Sequence, residues 1–277
     1  DGTLDLGGSK ILVDGDLLQS GGTLYIDGGE LDVTGDYYLA GSRWIGDDGA
    51  EKVEGTYSAL LKMIKEKDVV KVGKSFLINS AKNHTNQLTA GTMYIAGNFT
   101  EKYYSADTNN YCNFNTTGTH RVVFNGNKKQ HIRFEKPDYS GFTNVTFTNP
   151  NIEMTSGIRG FDLNEDINLT INTESFGIYS RELKLNGHKL IVEGDLIQSG
   201  GTLCIDGGEL DIAGDYYLAG KRWMGDDGTE KVEKAYSAIL KMVKEKDIVK
   251  VGKNFLTNSA QNHTNQLTAG TMYIAGN

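Results

Sequence analysis

The stretch Gly15 to Gly41, GDLLQSGGTLYIDGGELDVTGDYYLAG, returns as Gly194 to Gly220, GDLIQSGGTLCIDGGELDIAGDYYLAG. The offset is 194 − 15 = 179 residues, and the match widens to residues 1–98 against 180–277. A shorter period runs inside the longer one. Leu4, Leu6, Ile11, Val13, Gly15, Asp16 and Leu17 align with Leu24, Ile26, Leu31, Val33, Gly35, Asp36 and Tyr37, each 20 residues on. Apolar and polar residues alternate within each unit, and Gly8 and Gly28 mark matching turns. Alternation with a period of two builds strands with one buried face. A strand–turn–strand unit that repeats every ~20 residues reads as one coil of a β-solenoid, which buries its inward face only by stacking on the next coil.

The expected fold is therefore mainly β. It is a parallel β-helix or β-solenoid of ~20-residue coils, with one inserted amphipathic α-helix in each 179-residue repeat. The inward set is expected to be Leu4, Leu6, Ile11, Val13, Leu17, Leu24, Ile26, Leu31, Val33 and Leu39. The helix is expected after the loop Gly41 to Gly49. Val53, Tyr57, Leu60, Leu61 and Ile64 fall at i, i+4, i+7, i+8 and i+11, a single apolar stripe, and Val232, Tyr236, Ile239, Leu240 and Val243 repeat it. The spacing predicts helices over about 51–66 and 230–245, each laying its stripe on a solenoid flank or on another chain. Strand pattern resumes at Val70, Val72 and Phe76, breaks at a polar loop from Asn79 to Gln87, and continues at Met93, Ile95 and Phe99. The singly seen middle has the same grammar, with strands around Val122, Ile132, Val145 and Ile167 and a protruding loop from Tyr103 to Asn115. Residues 1–98 thus read as the C-terminal part of one large repeat, 99–179 as the N-terminal part of the next, and 180–277 as the second copy of 1–98. All three are expected to form one continuous solenoid, cut from a longer tandem array.

Composition narrows the classes. Glycine is heavy at 35 residues and proline scarce at 2, which suits tight turns between strands. A formal charge of −8 argues against a nucleic-acid partner, because phosphate binding needs a basic face. No apolar run approaches the ~18 residues of a membrane-spanning helix. The two cysteines, Cys112 and Cys204, lack any paired pattern and are expected to be free thiols.

GTMYIAGNF at 91–99, THRVVFNGNKKQHIRF at 119–134 and FTNVTFTN at 142–149 resemble the tandem β-solenoid repeats of large, repetitive cell-surface and secreted proteins of bacteria, especially Gram-positive anaerobes. The resemblance spans most of one unit. It rests on solenoid grammar and carries no catalytic signature, so it implies architecture and an extracellular or cell-surface location.

Asp47 and Asp48 in Gly-Asp-Asp-Gly, with Asp226 and Asp227 in the second copy, are the best calcium-ligand candidates. Against them, aspartate beside glycine is more often a turn former, and neither the nonapeptide calcium-solenoid pattern nor an EF-hand loop is present. No metal or other cofactor is therefore expected. The acids recur at the coil spacing and spread into ladders, which argues against a paired-carboxylate glycosidase and against an enzyme generally. The five histidines, His84, His120, His131, His188 and His263, have no metal-ligand spacing. Trp44 and Trp223, near Tyr38 and Tyr217, would stack on sugar rings if exposed; packing under the helix with Tyr57 is the favoured expectation. The function expected is a structural and adhesive extracellular repeat forming a stiff rod or fibre, with copies of itself as partners through end-to-end strand stacking. The alternative is a glycan-binding or glycan-cleaving solenoid, which would take surface glycans as partners.

Overall fold

Val13 and Val33 are Cα partners in neighbouring parallel strands of the chain's computed structural model. The structure describes residues 2–102, 114–135, 140–149, 152–154, 162–163, 168–171, 175–178, 182–192, 194–220 and 222–277. Cys112, Ile167 and most of the loop expected over Tyr103 to Asn115 lie outside these residues. The chain divides into two compact units, Asp1–Asn149 and Pro150–Asn277.

In the first unit each of the first three rungs holds three short strands, and each strand joins a different parallel sheet; in the next two rungs the first position is an isolated bridge, at Leu88 and at Thr116. The first rung is Thr3–Asp5, Lys10–Val13 and Leu17–Gln19. The second is Thr23–Tyr25, Glu30–Val33 and Tyr37–Leu39, and the third is Leu60–Lys62, Val69–Val72 and Phe76–Ile78. Equivalent residues stack in register. Leu4, Leu24 and Leu61 form one column. Ile11, Leu31, Val70, Met93, Val122 and Val145 form a second. Leu17, Tyr37, Phe76, Phe99 and Ile132 form a third. The second unit repeats the scheme, with Leu190, Leu210, Val249 and Met272 in one column and Leu183, Leu203 and Leu240 in another. Stacked parallel strands of this kind are consistent with a β-helix, with three strands per rung in place of the two expected.

Inward residues are buried wherever a rung lies on both sides. Leu31, Val33, Val70, Met93, Ile95, Val122, Phe124 and Val145 are all buried, each contributing about 1.5–3 kcal/mol. Leu4 is 56% exposed while its counterpart Leu183 is fully buried. Equivalent positions of the repeat therefore differ in burial, and Leu183 has a neighbouring strand on both sides while Leu4 has one on only one side.

Turns set the corners. Asp27 and Gly28 have φ of 47° and 82°, Asn186 and Gly187 have 49° and 86°, and Asp206 and Gly207 have 48° and 84°. Two successive left-handed residues are what Asp-Gly and Asn-Gly pairs tolerate best. At another corner, side chains carry hydrogen bonds from rung to rung. Asp36 N–H donates to Asp16 Oδ1 (2.9 Å), Ser75 N–H to Asp36 Oδ1 (2.7 Å), Asn98 N–H to Ser75 Oγ (3.1 Å) and His131 N–H to Asn98 Oδ1 (2.9 Å). The second unit has the same series through Asp195, Asp215, Asn254 and Asn277. Inside, Tyr37 Oη donates to Gln19 Oε1 at 2.5 Å, and Gln19 Nε2 donates to the Leu60 carbonyl at 3.0 Å. Two histidines are buried in the first unit. His84 Nε2 accepts from Leu61 N–H at 3.2 Å while Nδ1 faces the Lys82 carbonyl at 3.1 Å, a pattern that suits only the neutral ring. His120 lies 6.4 Å from the Phe114 ring, and neither of its nitrogens meets a hydrogen-bond partner.

The expected helices are absent: the described residues contain none. Residues 51–66 instead supply Glu51–Val53 and Leu60–Lys62, and 230–245 supply Glu230–Val232 and Ile239–Lys241. The helical stripe concealed a period of two. Ala59, Leu61 and Met63 are buried, whereas Leu60 and Ile64 are only half-buried and Tyr57 is exposed. Two forces favour the strand. Gly55 costs a helix about 1 kcal/mol relative to alanine, and β-branched Val53 and Thr56 add to that. The edge of Thr23–Tyr25 also needs a partner, and Leu60–Lys62 supplies one in register. The stripe Val232, Tyr236, Ile239, Leu240 and Val243 splits in the same way: Leu240 is buried, while Tyr236 and Val243 are exposed.

Candidate functional site

Between the second and third rungs the first unit leaves the stack in a two-stranded antiparallel hairpin. Arg43 pairs with Val53, Trp44 with Lys52, and Ile45 with Glu51. The turn closes through Gly46 N–H to the Ala50 carbonyl and Gly49 N–H to the Gly46 carbonyl, both 2.9 Å. At the base, Gly41 N–H donates to the Glu54 carbonyl at 2.8 Å.

Arg43 fastens the hairpin to the stack. Its Nη1 lies 2.6 Å from Asp16 Oδ2 and its Nε 2.5 Å from Glu51 Oε1. The guanidinium sits 4.4 Å over the Tyr38 ring. The Asp36 amide and then Arg43 hold the Asp16 carboxyl below the usual carboxylate range. Burial, and then Asp36 and Glu51, push the Tyr38 phenol upward. Planarity and five donors let one arginine serve two carboxylates and a ring face together. The second unit repeats the device, with Arg222 Nη1 2.6 Å from Asp195 Oδ2 and its guanidinium 4.7 Å over the Tyr217 ring.

These contacts separate the proposed aromatic residues. Tyr38 and Tyr217 are buried beneath arginines and offer no open ring face. Trp44 is 49% exposed and Trp223 42%, with Ile45 and Met224 exposed beside them. The packing expected for Trp44 beneath a helix fails because that helix does not form. Of the stripe residues expected to make a flank contact, Leu61 and Leu240 are core, Val53, Leu60, Ile64, Val232 and Ile239 are half-buried, and Tyr57, Tyr236 and Val243 are exposed.

The aspartates at the hairpin tip act as turn formers. Asp48 Oδ1 accepts from Ala50 N–H at 3.0 Å and Oδ2 pairs with Lys52 Nζ at 2.7 Å; Lys52, then Ala50, hold its carboxyl low. Asp227 bonds Thr229 and pairs with Lys231 at 3.2 Å. Asp47 and Asp226 stand at the same tips. No group of three or more His, Cys, Asp or Glu side chains is placed to hold a metal ion among the described residues.

Several polar residues that the sequence left unremarked prove structural. Asp68 is fully buried, and its carboxylate accepts from the amides of Gly28, Ile64 and Lys65 at 2.5, 2.7 and 3.0 Å. Asp247 does the same for Gly207, Val243 and Lys244. The recurrence of Lys-Asp-Val and Lys-Asp-Ile at the 179-residue offset was the available signal. Cys204 is a free, buried thiol 3.0 Å from Glu182 Oε1, and burial followed by that carboxylate pushes it up to about 12.

Comparison with family models, with curated proteins and with solved structures finds no match to this chain. No helix among the described residues is long and apolar enough to cross a membrane.

Proposed function

We propose that the chain is a segment of an extracellular structural and adhesive β-solenoid of the kind found in large repetitive bacterial surface proteins. In this reading the stacked coils make a stiff rod or fibre segment, and each repeat carries one hairpin. The observation that carries it is the in-register stack, built twice at positions 179 residues apart, with a hairpin in each copy. A stack of this kind grows along one axis without a new core. The exposed Trp44 and Ile45, with Trp223 and Met224, are then the contact elements.

End-to-end stacking is the assembly this reading expects. Neighbouring repeats or copies would then meet strand on parallel strand, in the register in which Met93 meets Val122. Electron microscopy and sedimentation velocity test it. Wild type should form filaments that lengthen with concentration. A wild type that stays monomeric refutes it.

Half-exposed Trp44 beside Lys52 also favours a second reading, in which the hairpin stacks on sugar rings. Trp44→Ala would then abolish glycan retention and leave assembly intact.

A further inference from the structure

Each hairpin is a sheet of only two strands, and among the described residues no third strand joins either one. Its bonding direction follows from its two ends. The Ser42 carbonyl accepts from Glu54 N–H, and Gly46 N–H donates to the Ala50 carbonyl, both at 2.9 Å. Antiparallel pairs alternate between bonded and unbonded, so Ser42, Trp44 and Gly46 turn their main-chain groups toward the opposite strand. Arg43 and Ile45 turn theirs outward on one edge, and Glu51 and Val53 do so on the other. Arg222, Met224, Glu230 and Val232 take the same places in the second hairpin.

The two edges differ in how open they are. Lysine, proline, bulges and covering segments are what normally keep an edge strand from pairing. Side chains alternate between faces, so Arg43 and Glu51 lie on the face that meets Tyr38, and Trp44 and Lys52 lie on the other. The Glu51–Val53 edge therefore carries a lysine at its middle. The Arg43–Ile45 edge carries Trp44 there, with no lysine or proline, and Ile45 beside it is exposed. In the second hairpin Met224 replaces Ile45 and is still apolar and exposed.

We propose that the Arg43–Ile45 edge, and the Arg222–Met224 edge with it, pairs antiparallel with the same edge of a second copy of this chain, about a twofold axis at the tryptophan. Arg43 then exchanges both main-chain bonds with Ile45 of the second copy. Trp44 lies opposite Trp44 in an unbonded pair, the kind that brings side chains closer. Two marginal strands become a four-stranded sheet. Charge and shape select this pairing. Two Glu51–Val53 edges would set Lys52 against Lys52. Unlike edges joined antiparallel would put both stacks at the same end of the sheet, only two strands or ~10 Å apart, which is less than the width of two packed sheets with their outer side chains. Like edges put the stacks at opposite ends and no like charges face to face. The proposal rests on the reading of the hairpins as contact elements and names what they contact. With a hairpin in each repeat, one molecule can bridge two neighbours side by side.

Amide exchange of the full chain, read residue by residue from micromolar to millimolar concentration, tests it. The amides of Arg43 and Ile45, and of Arg222 and Met224, should slow about tenfold at the high end as their edge is covered. Those of Glu51 and Val53 should not change. The Trp44 amide should be slow throughout, because it bonds within the hairpin. Ile45→Pro with Met224→Pro removes only outward donors, so the Trp44 amide should stay slow while sedimentation velocity shows association about tenfold weaker. Val53→Pro with Val232→Pro, on the opposite edge, should associate like wild type. Filaments without slowing at Arg43 and Ile45 would reject hairpin pairing and leave end-to-end stacking standing; slowing without filaments would do the reverse. Three results overturn the proposal: no slowing at Arg43 and Ile45, equal slowing at Glu51 and Val53, or undiminished slowing at Arg43 in the Ile45→Pro, Met224→Pro chain.

Discussion

Lowering the pH from 7.5 to 5.0 should destabilise the first unit by about 4 kcal/mol, and two buried histidines set that figure. Burial pushes His84 down to about 4, partly offset by the Lys82 carbonyl, and pushes His120 down to about 3. An unfolded histidine titrates near 6.5. Below that value the unfolded chain binds protons that the folded chain refuses, so stability falls as pH falls. Each pH unit costs about 1.4 kcal/mol per histidine until the folded value is reached. At pH 5.0 each ring has lost about 2 kcal/mol. The window closes at pH 5 because Asp16 and Glu30, whose carboxyls are held low, add their own loss further down. Urea unfolding followed by Trp44 fluorescence in a Trp223→Phe background reads the first unit alone. With m near 2 kcal/mol/M, the midpoint should fall by about 2 M. His120→Leu should halve that fall, because it removes one titrating ring. A flat midpoint from pH 7.5 to 5.0, or a full fall in His120→Leu, would refute the reasoning.

Three further outcomes are expected. Phe99→Ala should cost about 3–5 kcal/mol in denaturant unfolding, because the Phe99 ring lies 5.0–6.3 Å from Phe76, Phe114, Phe124, Phe134 and Phe142 and the void cannot close from any one side. Arg43→Ala should speed amide exchange across the Trp44–Lys52 hairpin yet shift unfolding by less than about 1 kcal/mol, since partly exposed ion pairs add little; Arg43→Lys should not restore slow exchange, because an ammonium cannot hold Asp16, Glu51 and the Tyr38 ring together. Gly28→Ala should cost about 1–2 kcal/mol through its φ of 82° alone, whereas Gly29→Ala should cost more, because a Cβ there would meet the Ser9 carbonyl oxygen at 2.4 Å.

The rung register was legible in the sequence because a fixed offset of 20 between Val13 and Val33 leaves few other ways to pair their strands. The third strand of each rung was not, since Leu17 and Tyr37 follow a Gly-Asp corner and read as the tail of the preceding strand. The strands that replace the expected helix were not legible either. Val53, Tyr57, Leu60, Leu61 and Ile64 satisfy a helical template, and only the waiting edge of Thr23–Tyr25 selects the alternation of Ala59, Leu61 and Met63 instead. The exposure of Trp44 was hidden with them, because its expected cover was the helix. The burial of His84 and His120 is not legible either, because a histidine in a polar motif shows nothing of its burial until the rungs around it are in place. The hairpin pairing of Arg43–Ile45 with Glu51–Val53 was readable in principle from Gly46-Asp47-Asp48-Gly49, whose composition is that of a turn.

The corner hydrogen bonds that link Asp16, Asp36, Ser75, Asn98 and His131 all run one way. At each step the acceptor is a side chain from the earlier part of the chain and the donor is a main-chain amide that is translated later. A freshly completed turn therefore presents a docking peg for residues still to emerge from the ribosome, and nothing in this series reaches backwards. Synthesis and folding can advance in step, each layer serving as the mould for its successor.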